Sequence, residues 1–323
     1  MAQQENGPAT PFQPGSVSLR LYPHNDLDAA AIVRELCEQG RLALEGGFDG
    51  IMTSEHHGGV GGYLPNPLQM AGFVLEETPR GWAAPCPLLL PLRPTALVAE
   101  EVAWLAARHP GRVGVGVGSG ALALDFDVMG LQLADASRVF KAELPRIVQM
   151  LRGEDLGDLA GDRALQKCSD QPIPVLSAAV SVAAARRAAR CGAGIILEGM
   201  SGPERVAELC AAYDEAGGVM PKNLIRRVWL GPPQSNLVDQ QRQFYQSYRA
   251  EETPMPADQT ISVADGAEMA GILADVMKSS GADGLNLRIH LPGMAPSAIR
   301  EQIAGLVSDV LPRLRSEFKT PSS

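Results

Sequence analysis

The chain has 323 residues, 45% hydrophobic and 20% charged, with a net charge of −9 and a pI near 5.1. That size suits either two average domains or one α/β barrel, and the acidic balance leaves no basic footprint for nucleic acid or an anionic membrane. No apolar run approaches the ~20 residues that span a bilayer, and residues 1–15 lack a basic region followed by an apolar one, so a cytoplasmic protein is expected. The five cysteines are widely spaced and contain no CxxC pair, which argues against a zinc ribbon or a disulfide frame.

In chain order, short apolar runs alternate with stretches of helical spacing. Residues 17–21 read as a strand, and Asn25 or Asp26 caps a helix to residue 45 with Val33, Leu36, Cys37, Gly40 and Leu44 on one face. A strand at 48–53 precedes a helix opened by Asn66-Pro67, proline being favoured in a first turn. The third strand, 83–90, feeds a helix over 94–108, and the fourth, 113–117, precedes a glycine loop and a helix over 136–151. Next come strand 174–176 with helix 181–191, and strand 193–197 with helix 203–216. Strand 225–230 with helix 265–280 and strand 284–289 with helix 296–315 complete the series.

Eight strand–helix units predict an α/β fold, a (β/α)8 TIM barrel. A doubly wound sheet would need a phosphate-binding glycine turn after its first strand, where this chain has Leu21-Tyr22-Pro23. Two segments fall outside the repeat: 155–171, polar and expected to be a mobile loop, and 232–259, with an inserted helix at 237–248 before the last helix–strand unit. The expected organisation is a disordered segment over 1–15, one barrel over 16–317 and a tail over 318–323.

Chemistry concentrates at Thr53-Ser54-Glu55-His56-His57, between an apolar strand and the glycine-rich run 58–62. Strand carboxyl ends are where α/β folds keep catalytic groups. His56 is the candidate proton carrier, since an imidazole with a pKa near ~6.5 donates and accepts at neutral pH; tying the loop to backbone is its other reading. Glu55 either orients His56 or faces a subunit contact, and His57, pointing the opposite way, reads as structural. Neighbouring strand residues face opposite sides, so two strand-borne metal ligands want HxH rather than HH, and no metal site is expected.

Cys86-Pro87 places a proline within a barrel strand, where it removes a ladder hydrogen bond; a kink with a cis bond and a pre-strand turn both fit. Gly116, Gly118 and Gly120 admit close approach by a ligand. Ser181 heads a helix whose free N–H groups favour an anion, or it is an ordinary cap. Arg288 ends the eighth strand and either grips a phosphate or carboxylate or pairs with Glu100, Glu101 or a loop carboxylate.

Ordered motifs carry a resemblance. They are Gly47-Phe48-Asp49 before Glu55-His56-His57, then Leu64-Pro65-Asn66-Pro67, then Leu90-Pro91-Leu92-Arg93-Pro94 with Ala99-Glu100-Glu101. The glycine run 111–120, Pro172-Ile173-Pro174-Val175, the helix end 188–194, Gly281-Ala282-Asp283-Gly284 and the basic helix end 310–315 follow in order. Across 16–317 the chain resembles the bacterial luciferase-like flavin-dependent monooxygenase superfamily. The resemblance implies a (β/α)8 barrel holding reduced FMN, or in a large branch coenzyme F420, at the strand carboxyl ends.

It further implies oxygenation of a small organic substrate with O2, using FMN reduced by a separate flavin reductase, and a homodimer. The dimer would form through the helices after strands two and three, where Phe73, Val74, Val102 and Leu105 lie. His56 matches the family's catalytic histidine, and Cys86-Pro87 falls where members carry a cis-peptide bulge beneath the flavin. Cys86, Pro87, Gly118, Ser119, Ser181 and Arg288 are the implied cofactor contacts, and Tyr22, His24, Tyr63 and Phe126 the candidate substrate walls. Ser119 stands where luciferase has arginine, and Val180 where it has an acid. These departures leave room for an F420-dependent hydride-transfer enzyme or a catalytically silent partner subunit.

Overall fold

Short apolar runs bounded by glycine or proline become parallel strands, and the longer amphipathic stretches become the helices that cover them. The computed structural model describes residues 10–232, 234–246 and 259–319. β1 (Val17–Arg20) leads to α1 (Ala29–Glu45), and β2 (Gly50–Thr53) to α2 (Pro67–Glu77). The third stave is in two pieces, β3 (Trp82–Pro85) and β4 (Leu88–Leu89), with a cis Cys86–Pro87 peptide bond between them. Then follow α3 (Thr95–Arg108), β5 (Val115–Gly118), α4 (Ala123–Asp127), α5 (Ala136–Met150) and α6 (Arg163–Lys167). β6 (Val175–Ala178), α7 (Val182–Cys191), β7 (Gly194–Leu197), α8 (Pro203–Glu215) and β8 (Lys222–Leu230) continue the repeat. α9 (Ser235–Gln246) and β9 (Ile261–Val263) form the insertion. α10 (Gly266–Ser280), β10 (Gly284–Arg288), α11 (Pro296–Gly305) and α12 (Leu311–Lys319) complete the fold, the last two joined by a π-helical turn at Leu306–Val310.

All pairings are parallel, in the order β3-β2-β1-β10-β8-β7-β6-β5-β4. Because β3 and β4 are one stave and Ala83 bridges Val113 beside β5, the ring closes into eight staves. β9 adds outside it, pairing Val228–Leu230 with Ile261–Val263. The expected barrel and its late helical insertion are therefore present. The inserted helix begins at Ser235, and residues 247–248 of the expected helix lie outside the described residues. Among the described residues, no helix is long and apolar enough to cross a membrane.

Three expectations need correction. Asp28, rather than Asn25 or Asp26, caps α1, accepting from the Ala31 amide at 2.8 Å. Within 155–171, α6 packs against α3 and buries Ala164, Leu165 and Cys168, because those apolar residues recur at one helical face. Residues 10–15 are also placed rather than disordered: Phe12 is fully buried under the barrel, its ring centroid 5.0 Å from that of Trp82. Residues 1–9 and 320–323 lie outside the described residues.

The barrel interior has an apolar layer of Phe12, Met52, Trp82, Ala84, Cys86, Leu176 and Ile196. At β1 and β10 the lining turns polar. Arg20 Nε donates to Asn286 Oδ1 at 2.6 Å, and Asn286 Nδ2 donates to Ser18 Oγ at 2.9 Å. That polar belt lies directly below the strand carboxyl ends.

Candidate active site

A cavity of about 250 Å³ opens at the carboxyl ends of the strands, where the βα loops of a barrel build their sites. β1 contributes Arg20 and, just beyond it, Tyr22; the segment after β2 contributes Ser54, Glu55, His56 and Tyr63. Pro87 and Leu89 come from the broken stave, Glu198, Gly199 and Met200 from the loop after β7, and Ile225, Arg227 and Arg288 from β8 and β10. A larger cavity of about 570 Å³ lies elsewhere, between residues 10–11, α3 and α6. It lacks the histidine–carboxylate cluster and sits away from the strand carboxyl ends, so the smaller cavity is the candidate site.

The segment 54–57 is extended, so alternate side chains face opposite ways. Its backbone is pinned on both sides, the Glu55 amide donating to the Pro87 carbonyl at 3.2 Å and the His56 amide to the Leu64 carbonyl at 3.1 Å. Glu55 and His57 share one face: His57 Nε2 donates to Glu55 Oε1 at 2.9 Å, Arg93 donates to the same oxygen, and the Leu89 amide donates to Oε2 at 2.5 Å. Glu55, fully buried, therefore neither orients His56 nor faces a subunit contact. It braces His57, which its two-residue spacing puts alongside it, and the end of the broken stave at Leu89.

His56 turns to the other face and lines the cavity. Its Nδ1 lies 2.7 Å from Asp125 Oδ2, and Asp125 Oδ1 accepts the His57 amide at 2.7 Å. Asp125 is 0% exposed, whereas the His56 side chain is 19% exposed. An ionised carboxylate only accepts, so Nδ1 carries the proton and Nε2 is left to exchange one with a bound molecule. Asp125, on α4, is the functional residue that sequence reasoning misses. Its one signal is an acid inside the apolar run 121–126, which the neighbouring Asp127 obscures.

Aromatic rings continue from His56. Tyr63 packs edge-on at 4.3 Å between ring centroids and Tyr22 edge-on to Tyr63 at 5.3 Å, while the Arg288 guanidinium lies over Tyr22 at 4.4 Å. Arg288 Nε also donates to the His290 carbonyl at 3.4 Å. Of the expected substrate walls, Tyr22 and Tyr63 line the cavity. His24 is buried, hydrogen-bonded to the Met294 carbonyl at 3.0 Å and to Gln39 at 2.8 Å, and Phe126 packs beneath Gly120.

Of the expected cofactor contacts, Pro87 and Arg288 reach this cavity; Cys86, Gly118, Ser119 and Ser181 are not among its lining residues. Cys86 is fully buried, and burial pushes its thiol up to about 11, which removes it as a thiolate. A Cβ at Gly116 would lie 2.1 Å from Cys86 Sγ, so only glycine fits there. Ser119 is half-buried beside Gly118 on the loop after β5. Ser181 caps α7 by accepting the Ala184 amide at 3.2 Å, and Arg205 donates to the neighbouring Val180 carbonyl at 2.9 Å. Arg226, whose pKa burial pushes down to about 10, donates to the carbonyls of Gly199 and Ser201 and so holds the wall formed after β7.

Residues 17–266 match the family model described as luciferase-like monooxygenase. The chain belongs to the luciferase-like monooxygenase family. It is 31% identical over 188 residues to an F420-dependent glucose-6-phosphate dehydrogenase of Segniliparus rotundus, covering 54% of this chain and 56% of that one. The chain spans about half the length of the curated relatives it matches. Its fold is that of the monooxygenase RslO1 from Streptomyces bottropensis, with a TM-score of 0.74 and 19% identity over 92% of this chain and 99% of that one. It is also that of the oxygenating constituent of 3,6-diketocamphane monooxygenase from Pseudomonas putida, solved with FMN, at a TM-score of 0.72 and 17% identity over 93% and 98% of the two chains. Both FMN and F420 therefore occur among proteins similar to this member of the family.

The cavity suits a ring system with polar edges. Ser54 Oγ is buried beside it without a hydrogen-bond partner among the described residues, and Arg20 sits at its floor. Among the described residues, no group of three or more His, Cys, Asp or Glu side chains is arranged to hold a metal ion.

Proposed function

We propose that this protein is a flavin-dependent two-component monooxygenase, using reduced FMN from a separate reductase and O2 to oxidise a small organic substrate. The Asp125–His56 pair at the rim of the cavity carries this reading, since it ties one imidazole nitrogen to a buried carboxylate and leaves the other for a bound molecule. Bound reduced flavin would supply the electrons and the oxygen chemistry. His56 Nε2 would move a proton to or from the reacting molecule, with Asp125 holding the ring and stabilising its cationic form. Tyr22 and Tyr63 would exclude water on the His56 side.

Ser54 Oγ would take a polar edge of the ring. Pro87 and Arg288 would border it, and Gly118, Ser119, Ser181 and the free amides of α7 would meet the phosphate. Cys86 would lie under the ring as packing. A homodimer and a cytoplasmic location belong to the same reading. Phe73, Leu97 and Trp104 support the dimer as exposed apolar side chains on α2 and α3, whereas Val74 and Val102 are fully buried against the barrel.

F420-dependent hydride transfer is the second reading. The similarity to an F420-dependent dehydrogenase and Ser119 in place of the arginine support it, and His56 would then be the acid for a carbonyl. An intact Asp125–His56 pair speaks against a catalytically silent partner subunit. The test is reductase-coupled turnover of a substrate panel with wild type and His56→Ala. The expected result is turnover that falls by ~10²–10⁴-fold in the variant, with cofactor affinity kept. Equal turnover in both would remove His56 from the reaction.

A further inference from the structure

Among the described residues, Arg20 is a cation that the barrel holds without a carboxylate partner. It is 2% exposed, yet it lines the floor of the cavity. Nε donates to Asn286 Oδ1 and Nη1 to the Cys86 carbonyl, both at 2.6 Å, while Nη2 lies 3.8 Å from the Met52 sulfur. All three partners are neutral. Of the two carboxylates that line the cavity, Glu55 is engaged by His57, Arg93 and the Leu89 amide, and Glu198 accepts from Ser201 Oγ at 3.2 Å. A buried guanidinium is costly unless an opposite charge compensates it. β1 is also flanked on both sides by strands, a position that apolar residues fill more readily.

We infer that Arg20 supplies the fixed positive charge that favours the reduced, anionic form of the cofactor ring over its oxidised form. The inference rests on the flavin reading above. A flavin ring gains negative charge at its N1 edge on reduction, and a protein cation near that edge tunes its electronics. The residue selects a redox state and moves no proton itself. Its donor to the Cys86 carbonyl fixes the floor, so the charge is held in place before the cofactor arrives.

The test is anaerobic titration of full-length wild type, Arg20→Gln and Arg20→Lys with oxidised and reduced FMN and with F420, together with the midpoint potential of the bound ring. Glutamine keeps a donor and loses the charge; lysine keeps the charge. The expected result is reduced FMN bound at least ~10-fold more tightly than oxidised by wild type, a preference lost in Arg20→Gln and largely kept in Arg20→Lys. The potential of bound FMN falls by about 30 mV for each tenfold of preference lost. An unchanged preference in Arg20→Gln, or equal weakening of both redox forms, would make Arg20 a cross-tie only and overturn the inference. Equal wild-type affinity for the two redox forms would overturn it while leaving the flavin reading intact. A wild type that binds neither FMN nor F420 would overturn both.

Discussion

Glu55, His56 and His57 are neighbours in sequence with different tasks, because an extended chain turns adjacent side chains to opposite faces. His56 presents its ring to the cavity, while the Glu55 carboxylate, at the cavity wall, and His57 lock the strand. The sequence shows that three ionisable groups meet a strand end, and alternation shows that the two histidines diverge. The carboxylate that holds His56 comes from position 125, and only the closed barrel brings the two together. Replacing Asp125 with alanine frees the His56 tautomer and strips the His57 amide of its buried partner. Turnover should fall about 10²-fold, and stability by ~1–3 kcal/mol. Asp125→Asn, which keeps an acceptor, should recover stability more than rate; steady-state kinetics and urea melts on both variants separate the two effects. Full activity in Asp125→Ala would show that His56 needs no partner.

At the scale of elements, short apolar stretches bounded by glycine or proline locate the strands, even where Ser18, Arg20 and Asn286 interrupt β1 and β10. Cys86-Pro87 was legible as an anomaly within one of them, and the stave is indeed in two pieces around it. The helices α4 and α6 were not legible. Each has five residues, too few for a periodic signal, and α6 lies in a segment whose polar composition reads as loop. Packing also fixes residues that composition leaves free. A Cβ at Gly116 would meet Cys86 Sγ at 2.1 Å and its Cβ at 3.0 Å. Gly116→Ala should therefore cost ~1–3 kcal/mol through overpacking. Adding Cys86→Ala should return most of that, the signature of coupled neighbours in a double-mutant cycle. Additive losses in chemical denaturation would mean that the two sites do not touch.

The whole molecule places most of its histidines at one end of the barrel, and one of them links stability to pH. His290 is 2% exposed with neither ring nitrogen hydrogen-bonded among the described residues, and burial, then His24 and Arg288, holds its pKa well below the ordinary value. Above pH ~6.5 both folded and unfolded chains keep this ring neutral. As the pH falls below that, the unfolded chain binds a proton that the folded one refuses. Stability should then drop by up to ~1.4 kcal/mol per pH unit for this group, until the folded pKa is reached. Urea unfolding at pH 8, 6 and 5 measures it, and His290→Phe, which keeps a ring against Tyr22, should flatten the dependence. An equally steep slope in that variant would assign the effect to other groups. The barrel itself was readable at this scale from eight repeated units, but the plug was not. Phe12 precedes the first strand in a polar, proline-bearing segment, and its burial depends on Trp82 and Gly114, which arrive only with closure.

The central claim is that the cavity around Ser54, His56 and Arg20 holds a flavin or deazaflavin ring, and an anaerobic binding titration of the full-length protein with FMN and F420, each oxidised and reduced, tests it most directly. The account predicts saturable one-to-one binding of at least one of them that weakens on substituting Ser54 with a bulky side chain. Binding of neither, by protein that is folded by circular dichroism, would contradict it.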